Sequence, residues 1–174
     1  NGSRGIFQMP GSVICGNTRA IYHCPLRLNL KAREITKHYE ALRQQINQSD
    51  EYSTKIGLVV TELSADGAQT EMPITPEYHN PFHTVHGGIL FTVADVTGGV
   101  AAFAQGSAVC TVDSSFHYLN AGLDTKCLHA CAKALKIGKR LMVYDVFVRD
   151  DQGTLLWKGT FSYSKLTIPA SFPN

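Results

Sequence analysis

The sequence predicts an α+β domain in which an antiparallel sheet wraps one long, buried helix. Three observations carry that reading. Gly87 to Val112 is a run of 26 residues with a single charge, Asp95. From Val109 onward the chain alternates apolar and polar residues over long stretches with no helical period between them. The composition of the 174 residues, 44% hydrophobic and 17% charged, supplies one core without needing a metal or disulfide staple.

The elements follow in order. Residues 1–28 show no sustained period, carry the turn signals Met9-Pro10-Gly11 and Cys24-Pro25, and are expected to be irregular. They contain Arg4, Arg19 and Arg27 and no acidic residue, a composition that fits a transit peptide, a processed end or added residues alike. Residues 29–50 read as an amphipathic helix, with Asn29 as N-cap and Ile35, Tyr39, Leu42 and Ile46 on one face. Ile56 to Leu63 is a β-branched run, Ser64-Ala65-Asp66-Gly67 a hairpin turn, and Ala68 to Ile74 a second strand closed by Pro73 and Pro76. Tyr78 to Val85 is a loop. Gly87 to Gln105 is the apolar helix. Val109–Leu119, Thr125–Ile137, Lys139–Arg149 and Thr154–Leu166 are expected as a four-strand meander. The domain proper spans 51–168, followed by a tail at 169–174.

Composition excludes several classes. Sixteen Lys+Arg against fourteen Asp+Glu give a net charge of +2, too small for a nucleic-acid or membrane-surface binder. Asp95 and the glycines in the apolar run make it a poor membrane span. Five Cys without a CxxC pair argue against a disulfide framework and for a reducing, cytoplasmic setting.

The apolar helix poses the functional question. At 100° per residue Ile89, Val93, Val96, Val100 and Phe103 form the stripe expected to meet the sheet. Asp95 falls on a second face with Phe91, Gly98 and Ala102, where small residues would admit another backbone, and a subunit contact is expected there. An isolated Asp in a helix often only caps a loop, but a carboxylate kept among apolar neighbours is also how a base is made. His86-Gly87-Gly88 opens the helix, and free N–H groups at a helix start suit a developing oxyanion. Gly87 and Asp95 are eight residues apart, about 12 Å along one helix, so they cannot act on the same carbonyl within one chain. If both act in one site, two protomers must supply them.

Asn80-Pro81-Phe82-His83-Thr84-Val85-His86-Gly87-Gly88, followed by Phe91-Thr92-Val93-Ala94-Asp95, resembles the hotdog-fold acyl-CoA thioesterases of the phenylacetate-pathway (PaaI-like) type. Cys110-Thr111-Val112-Asp113, Tyr118 to Gly122, Lys136 to Arg140 and the closing Gly153–Lys165 strand extend the likeness over about residues 50 to 167. The resemblance implies a hotdog fold, homodimers joined sheet edge to sheet edge or dimers of dimers, and hydrolysis of a coenzyme A thioester with no cofactor and no metal. It casts the Gly87 N–H as the group polarising the carbonyl and Asp95 as nucleophile or general base. Asn80 would orient carbonyl or water, and Thr111 would hold the water or Asp95. It also places His86, Gly88 and His83 beside the substrate, His83 standing where family members commonly carry Gly. Gly138, Lys139 and Arg140, with Lys136, form a hairpin tip that suits the phosphates of coenzyme A or plain solvation.

Other readings compete. His79, His83 and His86 are adequate metal ligands but lack an accompanying motif, and Cys127, His129 and Cys131 share a strand face without converging tetrahedrally. A hotdog module that binds acyl-CoA without hydrolysing it is the main alternative function. Phe82, Phe91, Phe103 and Phe116 could line an acyl pocket or simply fill the core.

Overall fold

The computed structural model describes residues 30–169. The irregular leader, the Asn29 cap and the tail beyond Pro169 lie outside the described residues. Helix α1 spans Leu30–Ser49 and a six-residue α2 spans Glu51–Ile56. Asp50 caps α2 by accepting from the Ser53 N–H, and Gly57 ends it in the left-handed region at φ 76°. Those two caps turn the start of the expected Ile56–Leu63 strand into helix, leaving β1 at Val59–Leu63. Strand β2 is Gly67–Pro73, the buried helix α3 is Gly87–Phe103, and β3 to β6 are Ser107–Tyr118, Cys127–Ile137, Leu141–Asp150 and Leu155–Pro169. No described helix is long and apolar enough to cross a membrane.

The six strands form one antiparallel sheet in the order β1-β2-β4-β5-β6-β3, and α3 packs against its middle. The expected meander is therefore corrected. Strand β3 lies at the far edge beside β6, and residues 119–126 carry the chain back to β4 beside β2. Alternation tells which face of a strand is buried and nothing about its neighbour.

Hydroxyls of the central strands and β6 tie α3 to the sheet: Thr70 to Thr97 at 2.6 Å, Tyr144 to the Ala101 carbonyl at 3.2 Å, and Tyr163 to the Asp95 carbonyl at 3.0 Å. The helix faces differ from the expected stripe. Leu90, Val93, Ala94, Thr97 and Ala101 are buried, whereas Ile89, Val96 and Phe103 are only half-buried on an open flank. The small-residue face at Gly98 meets no second backbone, because the Tyr163 ring of the same chain fills it. Phe91, Phe116, Trp157, Phe161 and Tyr163 pack ring against ring, so Phe91 and Phe116 belong to the core.

One sheet edge is closed and the other is open. Asn47 of α1 accepts from the Val60 N–H at 2.9 Å and donates to its carbonyl at 3.0 Å, as a neighbouring strand would, and Arg43 donates to the same carbonyl. That covers β1 at Val60. Strand β3, twelve residues long, is exposed along much of its length and includes the half-exposed Val112. Against the expectation that the cysteines form no disulfide framework, Cys127 is disulfide-bonded.

Candidate active site

Asp95 stands mid-way along α3, and two strands aim hydroxyls at it. Thr111 of β3 and Tyr163 of β6 are directly paired across the sheet, so their side chains share a face. Thr111 Oγ1 donates to Asp95 Oδ1 at 2.8 Å. The Tyr163 hydroxyl has one proton, which goes to the Asp95 carbonyl at 3.0 Å, with the carboxylate oxygen at 3.4 Å. Immediately after Thr111 the register slips by one residue, a bulge at Val112 that locally re-aims the strand. Burial and the adjacent Asp95 charge push the Tyr163 hydroxyl well above the ordinary tyrosine range, so it remains a donor.

Asp95 and Thr111 open on a cavity of about 350 Å³, walled by Val96, Val100 and Phe103 of α3 and by Val109 of β3. Of the four phenylalanines considered as pocket residues, only Phe103 lines it; Phe82 stands 82% exposed. Asp50 also borders the cavity, but its two oxygens are engaged by the Ser53 N–H and hydroxyl, which leaves Asp95 as the available base.

The second half of the motif is elsewhere. Asn80, Gly87 and Leu90 line a separate cavity of about 340 Å³ with Tyr118 and residues 119–122. His86 is the N-cap of α3: its Nδ1 accepts from the Gly88 N–H at 2.9 Å, and its carbonyl accepts from Ile89 and Leu90. This assigns the Nε2-protonated tautomer. Of the N–H groups that open the helix, Gly87 alone has no hydrogen-bond partner among the described residues. The Tyr118 hydroxyl donates to the Gly87 carbonyl at 3.2 Å, and its ring lies so close that a Cβ at Gly87 would approach within 3.2 Å.

The remaining expected residues fall into three groups. Asn80 organises its own loop, accepting from Phe82 and Thr84 N–H and donating to Thr84 Oγ1 at 2.7 Å, so a single amide hydrogen is left for a ligand. His83 is exposed, with φ 59° in the left-handed region, and lines neither cavity; His86 and Gly88 are also absent from both walls and satisfy each other. Gly138, Lys139 and Arg140 form the β4–β5 hairpin tip. The ladder Ile137, Met142, Tyr163, Thr111 crosses the sheet just inside that tip, which puts the two cations at the Thr111 end of the sheet, outside either cavity. His129 faces Glu71 directly across the strands at 3.3 Å. The sequence reading missed Tyr163 and Tyr118. The signal for Tyr163 was a polar tip on an otherwise core-like ring, a group that needs a partner when buried; Tyr118 is half-exposed and carries no such signal.

Comparison with known proteins bears on the family and the fold. Residues 82–156 match the model of the Thioesterase superfamily. The acyl-coenzyme A thioesterase PaaI of Escherichia coli is 27% identical over 105 residues, covering 60% of this chain and 75% of that one. The structure of E. coli PaaI superposes with a TM-score of 0.73 at 21% identity, over 78% of this chain and 98% of the other. A Streptococcus mutans protein, smu.793, solved bound to acetyl CoA, gives a TM-score of 0.60 at 22% identity over 63% and 88% of the two chains. The hotdog fold expected from the Asn80–Asp95 pattern is borne out, and so is the resemblance to PaaI-like thioesterases.

Proposed function

We propose that this chain, a PaaI-like relative in the thioesterase superfamily, hydrolyses an acyl-coenzyme A thioester to free acid and coenzyme A in a site built from two protomers. The observation that carries the proposal is the division of the motif: Asp95 and Thr111 open on one cavity, and Asn80 and the unpaired Gly87 N–H on another. A homodimer formed through the open β3 edge supplies the missing half to each, while α1 guards the opposite edge at β1.

In this reading the thioester carbonyl points at the Gly87 N–H, where the helix start stabilises the negative oxygen of the tetrahedral intermediate. Asp95 of the other protomer acts in one of two ways. As nucleophile it bonds to the carbonyl carbon, expels coenzyme A thiolate and forms an anhydride that water then cleaves. As general base it takes a proton from water as the water oxygen bonds to that carbon, and collapse expels the same thiolate. Thr111 orients the carboxylate in both. Lys139 and Arg140, at the Thr111 end of the sheet, supply charge for the coenzyme's phosphates.

The test has two parts. A panel of acyl-CoAs is assayed with a thiol reagent for wild type, Asp95→Asn and Gly87→Pro. Proline suits the first helical position, where it deletes the N–H at issue, and His86 already has the extended backbone that precedes proline. Both variants are expected to be inactive. Their mixture, after subunit exchange, is expected to recover about a quarter of wild-type activity, since half the dimers are mixed and each mixed dimer holds one intact site. Substantial hydrolysis by Asp95→Asn overturns the chemistry, and a mixture that stays inactive overturns the shared site.

A further inference from the structure

Helix α1 lies outside the strands and helix that make the hotdog, yet it reaches the cavity where Asp95 stands. Ile46 is 4% exposed, belongs to the same core as α3, and lines that cavity together with Val96, Gly99, Val100 and Phe103. Its placement is rigid. The next residue, Asn47, pairs with both backbone groups of Val60, Val60 faces Thr70 across the sheet, and the Thr70 hydroxyl contacts Thr97 of α3. This relay fixes α1 in rotation and height against α3, in the part of the helix that follows Asp95. The cavity walls there are mostly branched aliphatic side chains, Ile46, Val96, Val100 and Val109, closed by the Phe103 ring, and among the described residues the lining polar groups not already satisfied by their own element belong to the Asp95, Thr111 and Tyr163 cluster.

Resting on the thioesterase reading, we propose that Ile46 is a specificity residue: it forms the wall of the acyl cavity contributed by α1 and limits the size of the aliphatic acyl group that the Asp95 site accepts. The carbonyl sits at Asp95, and the chain runs along Val96, Gly99, Val100 and Phe103, which project from successive turns of one face of α3. The N-terminal helix is thereby part of substrate selection as well as a cover for the β1 edge.

The experiment measures kcat/KM over saturated acyl-CoAs from two to sixteen carbons and over benzoyl- and phenylacetyl-CoA, for wild type, Ile46→Val, Ile46→Ala and Ile46→Phe. Dissociation constants for non-hydrolysable thioether analogues and the melting temperature of each variant accompany the rates. Ile46→Ala is expected to move the optimum to longer chains, gaining about fourfold in kcat/KM and in affinity per additional methylene accommodated, equivalent to ~0.8 kcal/mol each. Ile46→Phe moves it to shorter chains, and Ile46→Val, the mildest change, shifts it in the direction of Ile46→Ala by less. Ile46→Val retains folding if the larger truncation does not, because it removes one methylene instead of three. Folded variants whose chain-length profile superposes on that of an active wild type overturn the role of Ile46 and leave the thioesterase reading standing. A wild type that binds the analogues with a profile that responds to Ile46 but hydrolyses nothing overturns the thioesterase reading and keeps the cavity assignment. Preference for the aryl substrates with no response to Ile46 overturns the aliphatic assignment.

Discussion

Two adjacent glycines of α3 are expected to respond to the same substitution with opposite signs. At Gly98 an added Cβ would lie within 3.0 Å of the Tyr163 ring carbon Cζ and closer still to its hydroxyl. Tyr163 cannot yield freely, being 1% exposed, stacked on Phe161, edge-on to Tyr144 and bonded to Asp95. At Gly99 the same Cβ meets Tyr163 at 3.7 Å, an ordinary contact. Replacing Gly by Ala inside a helix gains about 0.8–1 kcal/mol from backbone entropy at either position. Overpacking a rigid core loses about 1–3 kcal/mol and applies only at Gly98. The propensity gain cancels in the difference, so Gly98→Ala should be less stable than Gly99→Ala by about 1–3 kcal/mol, or about 2–12 °C in melting temperature for a domain of this size. Urea titration of the two variants side by side measures the difference directly. Gly98→Ala should also lose most of its hydrolytic activity, since relief of the clash moves the Tyr163 hydroxyl off Asp95. A Gly98→Ala protein as stable as Gly99→Ala would refute the packing argument.

Further tests address the site and its supports. Thr111→Val removes the 2.8 Å donor to the Asp95 carboxylate and should lower kcat about tenfold or more with little change in fold, read by steady-state kinetics and circular dichroism. Asn47→Ala leaves the Val60 N–H without its acceptor, while the carbonyl keeps Arg43, and should cost about 1–3 kcal/mol in urea unfolding, with faster amide exchange at Val60 as its local signature. Burial pushes the Tyr144 hydroxyl up to about 12. The folded state therefore holds this proton more tightly than the unfolded chain, whose tyrosines ionise near pH 10, and stability should be unaffected below that pH and decline as pH rises from about 10 toward 12. Tyr144→Phe should flatten that alkaline decline in a pH series of unfolding curves; an unchanged slope would contradict it.

The N-terminal helix, the buried helix and the long strands were legible because each has a local period that one face of packing enforces. The division of the motif was legible for the same reason, since the rise per residue separates Gly87 from Asp95 whatever surrounds them. Pairing was not. Strand β3 has the same alternating pattern as its neighbours, and nothing within it states that it pairs with β6 at the sheet edge. Likewise, the caps Asp50 and Gly57 are local signals that the β-branched run after them concealed.

The sequence by itself determined the fold class, the lone carboxylate of the apolar helix and the glycine helix start eight residues before it. These depend on periodicity and on residue types within a few turns of one another. Only the tertiary structure decided what surrounds the carboxylate: that Thr111 and Tyr163, 52 positions apart in the chain, stand opposite each other and face Asp95, and that Ile46 reaches the same cavity. Such meetings arise from sheet register and helix docking, which are properties of the whole core and leave no mark on the segments that they join.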